Sequence, residues 1–173
     1  ISNRAAGISP FIVMEVLERA AEMEKQGIHV IHLEVGEPDF DVPACVNEAV
    51  SQAMHEGRTH YTHSLGDPEL RSELVRYYQQ EYGVALSPDQ IIVTSGSSPA
   101  ILLALGALCE PGDEIILSDP GYACYPNFIR FIGAEAVRVP VFEEDGFQYR
   151  PEEICRRITG RTRGILVNSP MNP

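Results

Sequence analysis

From residue 91 onward, short β-branched runs alternate with apolar helical runs, and no other feature constrains the fold as much. The pattern predicts strands over 91–94, 114–118, 135–139 and 164–168, and helices over 97–109, 122–132 and 151–159. Pro111-Gly112-Asp113, Asp119-Pro120-Gly121 and Asp145-Gly146 separate them as turn signals. Strands that alternate with helices build a largely parallel sheet with helices on its faces, the α/β class.

Before residue 91 the pattern is mostly helical. Ser9-Pro10 predicts a helix start, with a capping hydroxyl followed by proline, and Gly27 ends that helix. Val30 to Val35 reads as a short strand closed by the turn-rich Gly36-Glu37-Pro38-Asp39-Phe40. Pro43 to His55 predicts a second helix, and Arg58 to Gly66 a polar loop carrying Tyr61. Asp67-Pro68 opens a third helix that runs to about Tyr82 and stops at Gly83. There is no internal repeat and no low-complexity segment.

A chain of 173 residues with 44% apolar content can bury a real core. Its net charge of −12 argues against nucleic acid and anionic membrane surfaces as partners. No apolar run is long enough to cross a bilayer, and the N-terminus lacks a signal-peptide layout. Cys45, Cys109, Cys124 and Cys155 form no CxxC pair, which reads as reduced thiols in a cytoplasmic protein. His60 and His63 are the nearest approach to a metal pair. They have no further ligand nearby, and no metal is expected.

Ligands of such sheets gather where strands give way to loops at their C-terminal ends. Strand 91–94 leads into Ser95-Gly96-Ser97-Ser98, strand 114–118 into Asp119-Pro120-Gly121-Tyr122, and strand 164–168 into Asn168-Ser169-Pro170-Met171-Asn172-Pro173. The first turn combines backbone donors at a helix start with small hydroxyl residues, which suits a phosphate. The same residues also serve as plain N-cap chemistry. A phosphorylated, planar, heteroaromatic ligand would use all three turns.

Five segments, in order, resemble the class I/II aminotransferases of pyridoxal phosphate fold type I. They are Gly36-Glu37-Pro38-Asp39-Phe40; Tyr61 with Gly66-Asp67-Pro68-Glu69-Leu70-Arg71; Thr94-Ser95-Gly96-Ser97-Ser98-Pro99-Ala100; Asp119-Pro120-Gly121-Tyr122 with Tyr125-Pro126; and Asn168-Ser169-Pro170-Met171-Asn172-Pro173. The resemblance implies a three-layer α/β/α fold with a mostly parallel sheet. Residues 1–40 would be an N-terminal arm, a helix and part of a small domain, and 41–173 the first part of a large cofactor-binding domain. It also implies pyridoxal phosphate as cofactor, an amino acid and a 2-oxo acid as substrates, and a homodimer.

The family's roles fall on particular residues. Ser97 and Ser98, with the N–H of Gly96, would hold the cofactor phosphate. Tyr122 would lie against the pyridine ring, Asn172 would donate to its phenolic oxygen, and Tyr61 would reach the phosphate of the partner subunit. Gly36 would offer backbone to the substrate carboxylate. Residues alone leave plainer readings open: a helix-start aromatic for Tyr122, a turn residue for Asn172, a surface tyrosine for Tyr61 and a turn glycine for Gly36.

The Schiff-base lysine of this chemistry is expected after Pro173, because Lys25 is the only lysine and stands outside every motif. Arginine, always protonated, cannot replace it. The chain opens Ile1-Ser2-Asn3-Arg4 without an initiator methionine, so it is expected to be the N-terminal part of a longer enzyme, inactive alone. Related readings are a carbon–sulfur lyase or aminocyclopropane-carboxylate synthase-like enzyme on the same cofactor, and a non-catalytic truncated binding or dimerisation module.

Overall fold

The computed structural model describes residues 1–172. They form two compact units, one made of residues 1–19 together with the chain from Gly96 onward, the other of Ala20–Ser95.

The first unit holds an all-parallel three-stranded sheet. Strand β1 (Glu114–Asp119) lies at the centre, between β2 (Glu135–Pro140) and β3 (Thr162–Ile165). Glu114 to Asp119 pair in register with Glu135 to Pro140. On the other side Ile115 pairs with Gly164 and Ile116 with Ile165, after an irregularity at Glu114.

Helices α5 (Ser97–Leu108) and α6 (Tyr125–Phe131) cover the sheet through Leu105 and Ile129, which pack with Ile115, Leu117 and Ala134. Ile116 points to the opposite face and is fully buried, so both faces of β1 are covered. Burial on both faces explains why β1 reads as a continuous apolar run. The α/β class expected from the alternation is the one observed.

Charge closes the N-terminal end of the sheet. The buried Glu114 pairs with Arg161 at 2.5 Å and accepts from the Thr159 hydroxyl at 2.6 Å. Asp113 accepts from Arg163 at 2.9 Å. This polar end leaves the opposite end, where the strands finish, for ligand chemistry.

Several predicted boundaries move. The helix expected over 122–132 begins only at Tyr125, because Tyr122 still belongs to the turn after β1. The helix expected over 151–159 is α7 (Pro151–Cys155), and the strand expected over 164–168 is β3, four residues long. The first helices are α1 (Asn3–Ala6) and α2 (Ile12–Lys25). Ser9-Pro10 does not start α2, since both backbone groups of Ser9 are bonded to the Asn127 side chain.

The second unit contains the end of α2, α3 (Ala44–His55) and α4 (Pro68–Tyr82). Asp67 caps α4 by accepting from the Glu69 N–H at 2.8 Å, and Gly83 ends it in the left-handed region at φ +66°. The two strands expected here are absent among the described residues. A strand needs a neighbour to share its ladder, and Val93 N–H instead bonds the Leu65 carbonyl at 2.9 Å. In 30–35, Leu33 N–H bonds the Glu34 carboxylate at 2.9 Å, and His32 reaches Glu34 and Glu24. Side chains there satisfy groups that a ladder would have used.

Among the described residues no helix is long and apolar enough to cross a membrane. All four cysteines are free.

Candidate functional site

The connection from α5 to β1, residues 109–113, is short, so the chain reverses direction there. Ile101, Leu105 and Cys109 all pack against the cluster around Ile115 and Leu117, which lays α5 along the sheet. A twelve-residue helix rises roughly 18 Å and a six-residue strand roughly 20 Å. The first turn of α5 therefore lies toward the edge where β1 ends. The turns after β1 and β3 follow strands that end at that same edge.

At the start of α5, Gly96 takes φ +91°, a conformation that L side chains rarely adopt. No side chain caps the helix, and Ser97 and Ser98 are exposed. The first-turn N–H groups and the two hydroxyls form a donor-rich, positively polarised end.

After β1 the chain turns sharply through a cis Asp119–Pro120 bond. Gly121 follows so closely that a Cβ there would stand 2.8 Å from the Ser118 Oγ and 2.9 Å from its carbonyl oxygen. The turn delivers Tyr122, half-buried, with its ring edge-on to Phe11 (centroids 6.2 Å apart) and Tyr125 (5.1 Å). Hydrogen bonding to Cys124, and then burial, push its hydroxyl above the usual tyrosine range.

After β3 the segment 168–172 closes on itself. With the Asn168 amide turned so that both its atoms meet matching partners, it donates to the Pro170 carbonyl at 3.3 Å and accepts from the Asn172 N–H at 3.2 Å, and the Asn172 side chain is exposed. Beside it lies a cavity of about 260 Å³ lined by Ser118, Tyr149, Asn168, Ser169 and Met171. The Tyr149 hydroxyl donates to the Leu166 carbonyl at 3.0 Å, and burial pushes that hydroxyl upward.

Five of the expected residues, Gly96, Ser97, Ser98, Tyr122 and Asn172, thus belong to one unit and to one end of its sheet. Their chemistry fits a phosphorylated aromatic ring such as pyridoxal phosphate: donors for a phosphate, a face for a ring and an amide for an oxygen.

Gly36 and Tyr61 belong to the other unit. Gly36 is exposed, with open space where a Cβ would be, and Tyr61 is fully exposed in the loop before α4. His63 in that loop uses Nδ1 to accept from the Leu65 N–H at 3.1 Å. Among the described residues no group of three or more His, Cys, Asp or Glu is arranged to hold a metal. Lys25 occupies the last turn of α2, where a cation complements the helix carbonyls.

Phe11, Asn127, Asn168 and Tyr149 are additions that the sequence did not suggest. Phe11, Asn127 and Tyr149 act through contacts with distant segments, whereas Asn168 acts within its own segment, where the repeated Asn of Asn168-Ser169-Pro170-Met171-Asn172 hinted at it.

Comparison with known proteins gives the family. Residues 28–173 match the family model of aminotransferase class I and II. The aspartate/prephenate aminotransferase of Thermus thermophilus is 39% identical over 173 residues, covering 100% of this chain and 45% of that protein. The (5-formylfuran-3-yl)methyl phosphate transaminase of Methanocaldococcus jannaschii is also 39% identical, with the same coverage. The solved aspartate aminotransferase of Thermus thermophilus with maleate superposes with a TM-score of 0.96 at 39% identity, over 100% of this chain and 45% of that one. The chain thus spans about 45% of the length of these relatives. By sequence and by fold, the chain belongs to the class I and II aminotransferase family.

Proposed function

We propose that the whole protein is a pyridoxal phosphate-dependent aminotransferase that moves an amino group between an amino acid and a 2-oxo acid, and that this chain supplies the phosphate and ring contacts of its cofactor site. The observation that supports the reading is the parallel sheet, whose strands β1 and β3 run on toward the 119–122 turn and the 168–172 segment at the same end. When bound, the cofactor supplies an electron-accepting ring that stabilises the charge left as a proton leaves the substrate α-carbon.

In this reading the Ser97 and Ser98 hydroxyls and the Gly96 N–H hold the phosphate dianion. Hydrogen bonds to a charged acceptor are worth about 1.5–3 kcal/mol each. The Tyr122 ring would lie against the cofactor ring. The Asn172 amide donates to the phenolic oxygen, which favours its ionised form. Gly36 offers backbone to the substrate carboxylate. Tyr61 donates to the phosphate bound by the partner subunit, so the working unit is a homodimer. The Schiff-base lysine lies outside residues 1–173, since Lys25 serves the end of α2. The 173-residue chain by itself is then inactive. Four free cysteines accord with a cytoplasmic place of action.

The test is product analysis on the whole protein with aspartate, the amino acid in the name of the Thermus thermophilus relative, and a 2-oxo acid acceptor. Amination of the acceptor with matching loss of donor is expected. Release of free ammonia without an acceptor would instead assign elimination chemistry.

A further inference from the structure

The N-terminal arm is tied to α6 by side chains that grip its backbone. The Asn127 amide nitrogen donates to the Ser9 carbonyl at 2.9 Å, and its oxygen accepts from the Ser9 N–H at 3.2 Å. Arg130, on the same face of α6, donates to the Gly7 carbonyl. The fit is close: a Cβ on Gly7 would stand 3.3 Å from the Arg130 Cδ. A strand-like ladder is not involved, so two side chains set the path of 7–9. Two residues beyond this clamp, Phe11 meets Tyr122 with ring planes at 75° and centroids 6.2 Å apart. Tyr125 meets the same ring at 74° and 5.1 Å. All of these groups lie within one unit.

A tyrosine ring has broad freedom about its terminal torsion, so a stacking face is only as well aimed as its edges are held. Tyr125 comes from the adjoining helix and supports Tyr122 locally. Phe11 is separated from it by more than a hundred residues of chain and is half-buried. Plain core packing would not require a two-way amide clamp at Ser9 to deliver it. We infer that Phe11 is a positioning residue: clamped through Asn127 and Ser9, it braces the Tyr122 ring through a T-shaped contact and so sets the plane offered to the cofactor. The inference rests on the proposed role of Tyr122 and deepens it, because it makes the N-terminal arm part of the cofactor site.

The experiment is a double-mutant cycle on the whole protein, read by pyridoxal phosphate titration and by visible circular dichroism of the bound cofactor. Phe11→Leu keeps most of the bulk but removes the ring. It is expected to weaken cofactor affinity about three-fold to ten-fold, the range of an edge-to-face ring pair, and to diminish the dichroic band. Phe11→Tyr should restore both. Asn127→Ala, which frees the arm while leaving Phe11 in place, should act in the same direction. In a Tyr122→Leu background, Phe11→Leu should have no further effect.

If Tyr122→Leu weakens binding while Phe11→Leu does not, or if the two changes simply add, the bracing role is overturned and the Tyr122 reading stands. If Tyr122→Leu itself leaves affinity and dichroism unchanged, the Tyr122 reading falls, and the inference with it.

Discussion

The Arg71 guanidinium grips the carbonyl of Pro88 with two donors, Nε at 3.0 Å and Nη2 at 2.7 Å. Nη2 also bonds Asp89 at 3.0 Å, and Nη1 lies 3.5 Å from the His63 ring. Arg71 is 4% exposed, so α4, the Pro88–Gln90 turn and the loop carrying His63 are joined through one buried fork.

Lysine cannot reproduce that fork. Arg71→Lys should destabilise the protein by about 1.5–3 kcal/mol, because the buried side chain no longer offers the Pro88 carbonyl two donors at once. Urea denaturation of the whole protein checks this. An unchanged midpoint would show that water replaces the guanidinium without cost.

Gly66 combines two constraints. It sits at φ +105°, and a Cβ there would fall 2.6 Å from the Val93 Cβ. Gly66→Ala should therefore cost about 1–3 kcal/mol from backbone strain, with overpacking in addition. Val93→Ala should not rescue it, since the nearest atom is the Val93 Cβ itself. Thermal denaturation of both single variants and the double variant decides this, and full rescue would refute the steric account.

Asp113 gives the sheet an acid-sensitive end. The Glu110 N–H at 2.8 Å and then the Arg163 guanidinium hold its carboxyl below the usual carboxylate range. A lowered folded-state value stabilises the fold above the ordinary carboxylate pKa. That contribution is lost as pH falls through the folded value. Melting temperatures followed from neutrality to about pH 3 should fall less steeply for Asp113→Asn than for the unaltered protein. Parallel curves would remove Asp113 from the acid response.

Tyr61 is fully exposed and belongs to the unit that lacks the α5 turn. As a cross-subunit phosphate donor, its loss in Tyr61→Phe should weaken cofactor affinity roughly ten-fold to a hundred-fold while the dimer persists. Cofactor titration beside sedimentation velocity tests both halves. Unchanged affinity would leave Tyr61 as a surface residue.

What could be read from the sequence was what depends on near neighbours. β1 and β2 were legible because each reads as a strand and each finds its partner within the chain. Residues 91–94 have a similar composition but no strand ladder among the described residues, so composition overstated them. In 30–35 the carboxylate of Glu34 took a backbone donor that no pattern revealed. Ser9-Pro10 carried a helix-start signal, yet the Asn127 clamp moved the start to Ile12. The site divides in the same way. Gly96, Ser97, Ser98, Tyr122 and Asn172 stand in compact local motifs. Phe11 acts through a contact that only the folded chain creates.

The central claim is that this chain holds the phosphate of pyridoxal phosphate at the start of α5. It is tested most directly by titrating the whole protein with the cofactor, following its visible absorbance, beside the Ser98→Ala variant. Saturation at one cofactor per chain is expected, with affinity falling about ten-fold in the variant for the loss of one charge-assisted hydrogen bond. Failure to saturate, or identical affinities for the two proteins, would contradict it.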